Sequence, residues 1–249
     1  MNSCTIMMLS CAATGYASAA LSAPLRPFET SYAVIWHGFT AGVSSFTLRQ
    51  ESEREWTYAS RNQPHGLFRL VPRAALTLSS RMSVSPDGVR PLLFTATDPD
   101  NGKAKGEVHF DWETNRATGV VDGAPVDLTL RPGVQDDLSV QVALIYALSN
   151  QQTPAGISLF DLKGIRDYDY VRVGAETLHT PVGDVATVIY RSHKANSPRS
   201  TSFWCAPEFG FIPVQAEQRY KGEVEWTMKL RSIRRDPDLS ASPDRPLRL

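Results

Sequence analysis

The chain has 249 residues, 42% of them hydrophobic, with Lys+Arg and Asp+Glu balanced at 26 each. That length and apolar content suffice for one large β domain or two small ones. A formal net charge of zero gives no reason to look for nucleic acid, an anionic membrane or an acidic polymer as the main partner.

Residues 1–24, MNSCTIMMLSCAATGYASAALSAP, carry no charged side chain and hold an apolar run from Ile6 to Tyr16 followed by Ala17-Ser18-Ala19. Small residues flanking a cut are what signal peptidase accepts, so the sequence predicts a signal peptide over 1–19, cleaved after Ala19 or Ala20, and a periplasmic protein. The run is shorter than the ~20 residues that span a bilayer, so no membrane span is expected. A lipidated Cys11 is the alternative, which Met8-Leu9-Ser10 fits poorly. With Cys4 and Cys11 removed, Cys205 stands alone and forms no internal disulfide. An unpaired thiol survives an oxidising compartment best when buried, which predicts a small core residue.

From Thr30 onward the dominant period is two, the mark of half-buried strands. Tyr32, Val34 and Trp36 share a face, as do Val108, Phe110 and Trp112, then Val126, Leu128 and Leu130, then Val224, Trp226, Met228 and Leu230. SPDGVRP, DPDNGK, ETNRATG, VDGAP and TPVGD separate such runs at intervals too short for crossover helices, so the strands pair antiparallel. One segment breaks the pattern: Leu138, Val142, Ile145 and Leu148 recur at helical spacing behind Asp136 and Asp137, either of which can cap a helix start. Val140, Ala143, Leu144 and Ala147 make this helix, about 137–149, apolar around most of its circumference. Pro154 and Gly156 end it. A second helical stretch is expected within GLFRLVPRAALTLSSRM, interrupted by Pro72. The fold class that follows is mainly β: a single curved antiparallel sheet, or half-open barrel, over residues 24–235, with the helix packed in or near its concave side. RRDPDLSASPDRPLRL has little to bury, and 236–249 are expected to form a disordered tail.

The recognisable catalytic motifs are missing: no G-x-S-x-G, H-E-x-x-H, Gly-rich phosphate loop or S-x-x-K occurs, and the five His residues are scattered singly. Glu107, His109 and Asp111 alternate on one strand face roughly 6.5–7 Å apart, and read as a polar face rather than a metal site. DPDNG imitates a calcium loop, but Lys103 and His109 stand where Gly and a carboxylate are needed, so it reads as a turn. Cys205 with His179 or His193 is the one conceivable thiol–imidazole pair. No cofactor is expected. The aromatic residues are the remaining candidates: Trp36, Phe110, Trp112, Trp204 and Trp226 fall on or beside strands, and either pack in the core or line an apolar ligand site.

Five segments, YAVIWHGFTAGVSSFTL, VHFDW, QDDLSVQVALIYAL, YVRVGAETLHTPVGDVATVIYR and FWCAPEFGFIPVQAE, span about residues 30–232 and resemble the DUF 3108 family of exported bacterial proteins. The resemblance implies a periplasmic curved sheet similar in outline to half-open barrels that shelter an apolar ligand; it supplies no catalytic residues. Three classes of function are therefore carried forward. A carrier of a lipid-like molecule in envelope biogenesis predicts a cavity between the Leu138–Leu148 helix and the sheet; an envelope scaffold that contacts other proteins predicts a dry, filled core and an exposed apolar patch. A hydrolase or isomerase requires two titratable groups meeting in a cleft.

Overall fold

A computed structural model describes residues 25–70, 75–154, 157–161 and 164–235; the expected signal peptide and C-terminal tail lie outside them. Alternating sequence becomes fifteen strands: β1 (Phe28–Trp36), β2 (Phe39–Gln50), β3 (Glu55–Pro64), β4 (Thr77–Ser85), β5 (Gly88–Thr97), β6 (Ala104–Asp111), β7 (Arg116–Val121), β8 (Ala124–Thr129), β9 (Val134–Gln135), β10 (Ile157–Asp161), β11 (Gly164–Thr180), β12 (Gly183–His193), β13 (Arg199–Ala206), β14 (Ile212–Tyr220) and β15 (Glu223–Arg234). All belong to one sheet, in the order β8-β7-β6-β5-β4-β3-β2-β1-β15-β14-β13-β12-β11-β10-β9. Each sequential hairpin pairs with its predecessor, and β1 joins β15, so the chain runs out along one arm and returns along the other. The pairing is antiparallel except at one edge, where β9 and β10 run parallel.

The one α-helix among the described residues, α1 (Ser139–Ser149), is enclosed by this sheet. Leu138, Val142, Ile145 and Tyr146 pack against Phe28 and Tyr32 of β1, Phe46 and Leu48 of β2, Trp56 and Tyr58 of β3 and Met82 of β4. Val140, Leu144 and Leu148 pack on the other side against Ile157, Tyr170 and Cys205 of the returning arm. Enclosure from both arms explains why the helix has no polar face. Its start is a reciprocal cap: Asp136 Oδ1 accepts the Leu138 and Ser139 N–H groups at 2.8 Å each, and Ser139 Oγ accepts the Asp136 N–H at 2.9 Å. Ser80 Oγ of β4 donates to Asp136 Oδ2 at 2.6 Å, which pins the cap to the sheet. Tyr58 Oη donates to Gln141 Oε1 (3.2 Å) and Tyr146 Oη to the Ser85 carbonyl (2.9 Å), fixing the helix along its length.

A third group of side chains holds the two ends of the sheet together. Phe110 of β6 meets Phe160 of β10 edge to face at 5.9 Å, within a cluster that includes Phe94, Val108, Val126 and Val134. The sheet thus curls until its arms touch through side chains.

Among the described residues of the stretch 66–82, where a second helix is expected, no α-helix occurs. A short 3-10 helix covers Gly66–Leu70, and the serine-rich stretch TLSSRMSVS is β4. Its alternation was obscured because Ser80, which faces the core beside Met82, is polar: it serves Asp136.

Candidate functional site

The helix fills only part of the concave face, and the register of four adjacent strands determines where filling stops. In the filled part Tyr32 of β1 stands opposite Ser44 of β2 and Leu230 of β15, with Phe46 beside Ser60 in the next row. Two residues further along β1 the row is Met228–Val34–Gly42–Pro64, read across β15, β1, β2 and β3. Gly42 leaves this row without a central side chain. The position admits nothing larger, since a Cβ there would lie 2.3 Å from the Gln63 carbonyl oxygen and 2.8 Å from the Pro64 Cα. One row beyond, Trp36 faces Trp226 across the β1–β15 pairing.

The result is a pocket of about 440 Å³ with walls from Val34, Trp36, Trp226 and Met228 and contributions from Gly42 and Pro64. Phe68 of the 3-10 helix covers one side, edge to face with Trp36 at 5.8 Å. That helix is tied to β2 through the His65 N–H, which donates to the Ala41 carbonyl at 2.8 Å. The polar side chains Ser44 and Asn62 face each other towards the helix-filled side, with Ser44 Oγ donating to Asn62 Oδ1 at 2.6 Å. An apolar channel with one hydrogen-bonding pair suits a molecule with a hydrocarbon body and a polar group. No residue of α1 is among those that line it, so the cavity expected between helix and sheet is not where the pocket lies: the helix packs closely against both arms, and the space is beyond it.

The five aromatic candidates are divided by the fold. Trp36 and Trp226 meet in the pocket. Phe110 is buried against Phe160, and Trp112 packs on the same cluster, donating its indole N–H to the Pro91 carbonyl at 2.7 Å with the Arg90 guanidinium 5.7 Å above its ring. Trp204 packs at the edge of the main core and donates to the Glu176 carboxylate. Phe68, Ser44 and Asn62 are pocket residues that sequence reasoning missed. The available signal was Gly42, an isolated glycine inside the strand pattern TAGVSSF, which marks close backbone approach.

Cys205 is fully buried, and burial pushes its thiol up to about 12, far from a nucleophilic thiolate at neutral pH. His179 is held on the surface by Asp184 at 2.6 Å, and His193 lies 3.7 Å from Asp169, so neither imidazole is paired with the thiol. His109 bonds Glu107 at 2.9 Å, while Asp111 closes its turn by accepting the Glu113 and Thr114 N–H groups. Among the described residues no three His, Cys, Asp or Glu side chains gather as a metal site would require. Asp136 is buried, and loss of solvation pushes its carboxyl up to about 6 against the pull of the Ser80 hydroxyl and the cap N–H groups. It lines neither the large pocket nor the smaller one beside Phe209.

The family model for "Protein of unknown function (DUF3108)" matches residues 31–228. The chain belongs to the DUF3108 family. No curated protein sequence matches it significantly. The β-barrel-like DUF1849 protein from Brucella abortus has a similar structure, with a TM-score of 0.50 and 13% identity, over 85% of the DUF3108 chain and 98% of the other. A protein with YmcC-like fold from Bacteroides fragilis aligns over 84% of this chain and 95% of its own with a TM-score of 0.36 and 13% identity. The likeness to the Brucella abortus protein concerns the fold alone, a β-barrel-like sheet. No helix of the described residues is long and apolar enough to cross a membrane.

Proposed function

We propose that this DUF3108 protein is an exported, non-enzymatic carrier that shelters an apolar or amphipathic, lipid-like molecule in the pocket between β1, β2, β3 and β15, in the service of envelope biogenesis. The observation that carries the proposal is the pocket itself: about 440 Å³, walled by Val34, Trp36, Phe68, Trp226 and Met228, with Ser44 and Asn62 as its polar pair. Its size lies within the ~300–1,000 Å³ of small-molecule sites. Binding would come from buried apolar area at roughly 25 cal/mol per Å², with the polar pair setting orientation.

The test is a titration with a medium-chain fatty acid followed through tryptophan emission. Binding should shift the emission of Trp36 and Trp226, and Val34→Trp, which places an indole in the cavity, should abolish saturable uptake. A saturable signal of equal affinity in Val34→Trp would place the ligand elsewhere and end the reading. A scaffold that works through protein contacts is the second reading, favoured by the filled centre of the sheet and by large apolar side chains exposed near the pocket. It predicts no uptake by either protein.

A further inference from the structure

The polar end of the pocket is more selective than its apolar walls. Ser44 of β2 and Asn62 of β3 stand opposite each other in the strand register, with Ser44 only 6% exposed. Ser44 Oγ gives its one hydrogen to Asn62 Oδ1. Asn62 Nδ2 donates to the Leu76 carbonyl at 3.4 Å, and since a carbonyl only accepts, this bond fixes which way the amide points. The pair thus keeps for a ligand the lone pairs of Ser44 Oγ and one Asn62 Nδ2 hydrogen, an acceptor and a donor side by side.

Charge is missing from the walls. Among the described residues that line the pocket there is no Asp, Glu, Lys, Arg or His. Glu225, the neighbour of Trp226, is held by two bonds from the Arg199 guanidinium and one from Gln218 Nε2. Arg69, the neighbour of Phe68, is exposed and donates its Nε at 3.3 Å to the carbonyl of Pro64, two residues along β3 from Asn62. A carboxylate brought to Ser44 and Asn62 therefore meets a single N–H and no cation, and an ionised group buried on those terms is strongly disfavoured. A hydroxyl or a primary amide fits the same place with both bonds made, donating to Ser44 Oγ and accepting from Asn62 Nδ2. From the Ser44 row to the Trp36–Trp226 row is four residues of β1, roughly 13 Å of strand, wall enough for a medium-length hydrocarbon chain.

We infer that the pocket selects uncharged amphiphiles whose head group donates a hydrogen bond, a primary alcohol or amide, and that this head group docks on Ser44 and Asn62 while the chain runs out past Gly42 between Trp36 and Trp226.

The inference rests on the carrier reading and adds to it the class of head group. A fatty acid still enters through its hydrocarbon chain, but more weakly than the alcohol of the same length.

The experiment compares 1-decanol, decanoate and decyl methyl ether near neutral pH, each titrated into the full-length exported protein and followed through tryptophan emission. Decanol should bind at least roughly tenfold tighter than decanoate, which loses the solvation of its charge. It should also bind roughly three- to tenfold tighter than the ether, which is more apolar but has no hydrogen to donate. Ser44→Ala removes the acceptor, so decanol should lose its advantage over the ether in this variant. A general loosening of the pocket would weaken both ligands together and leave their ratio unchanged. Decanoate binding as tightly as decanol would overturn the inference and move the head group to the mouth, within reach of Arg69. A decanol-to-ether ratio that Ser44→Ala leaves unchanged would overturn it as well, since the head group would then lie away from the pair. In both cases saturable binding blocked by Val34→Trp keeps the carrier reading. If none of the three probes binds saturably, the carrier reading falls and takes the inference with it.

Discussion

The two parts of the concave face are built from the same strands, yet one is packed and the other is open. Towards the start of β1, Phe28, Leu48, Trp56, Met82, Leu138 and Val142 are buried and interlocked around α1. Towards its end, Val34, Trp36, Trp226 and Met228 surround space. Composition does not separate them, since both are rich in aromatic and aliphatic residues. What separates them is the reach of an eleven-residue helix and one glycine, Gly42, placed where a side chain would otherwise meet β3. Stability and binding are thereby assigned to different stretches of the same strands.

That division is testable by mutation. Leu138→Ala in the packed part should cost ~2–5 kcal/mol in urea denaturation, through lost burial and the cavity left behind. Met228→Ala in the open part should cost less than about 1 kcal/mol and act on ligand affinity instead. Equal costs would break the comparison.

The packed part also carries a proton switch on stability. Burial pushes the Asp136 carboxyl up to about 6 in the folded state, well above the ordinary aspartate range near 3.8. A raised folded pKa means that the native state holds the proton more tightly than the unfolded chain. Stability from this group is therefore complete below pH 4 and is lost as pH rises through 6. The loss amounts to about 3 kcal/mol. Asp136→Asn keeps a capping side chain without the charge, so its urea midpoint should lose this downward trend between pH 4 and 6 relative to wild type. An unchanged difference between the two proteins across that window would remove Asp136 as the cause.

Gly42→Ala brings a methyl against the Gln63 carbonyl and should cost ~1–3 kcal/mol by overpacking, while distorting the pocket row. A small effect confined to stability is expected at Cys205, buried against α1 and away from the pocket: Cys205→Ala should lower stability by about 1 kcal/mol and leave fatty-acid uptake at wild-type affinity. Loss of uptake with unchanged melting would give the thiol a role that its burial denies.

Much of this architecture was legible from periodicity. The alternation of Tyr32, Val34 and Trp36 and of Trp226, Met228 and Leu230 placed each set on one face, and the apolar circumference of residues 138–148 demanded a buried helix. The strand β4 was hidden because FRLVPRAAL clusters apolar residues without a clean period and because Ser80 is turned inward to serve Asp136. The parallel β9–β10 pair involves only two residues of β9, too few to leave a pattern. The site was less legible than the fold. Five aromatic residues on strands looked alike in sequence, and only cross-strand register brings Trp36 opposite Trp226 while sending Phe110 to Phe160. A periodicity acts along one strand; a pocket is a property of four.

The most direct test of the carrier account is native mass spectrometry of the protein exported to a bacterial periplasm and purified without detergent, followed by solvent extraction of whatever accompanies it. The account predicts a reproducible added mass that resolves to a lipid-like molecule and is missing from Val34→Trp. A bare polypeptide mass in wild type, unchanged by incubation with lipid, would contradict it and leave the curved sheet as a scaffold.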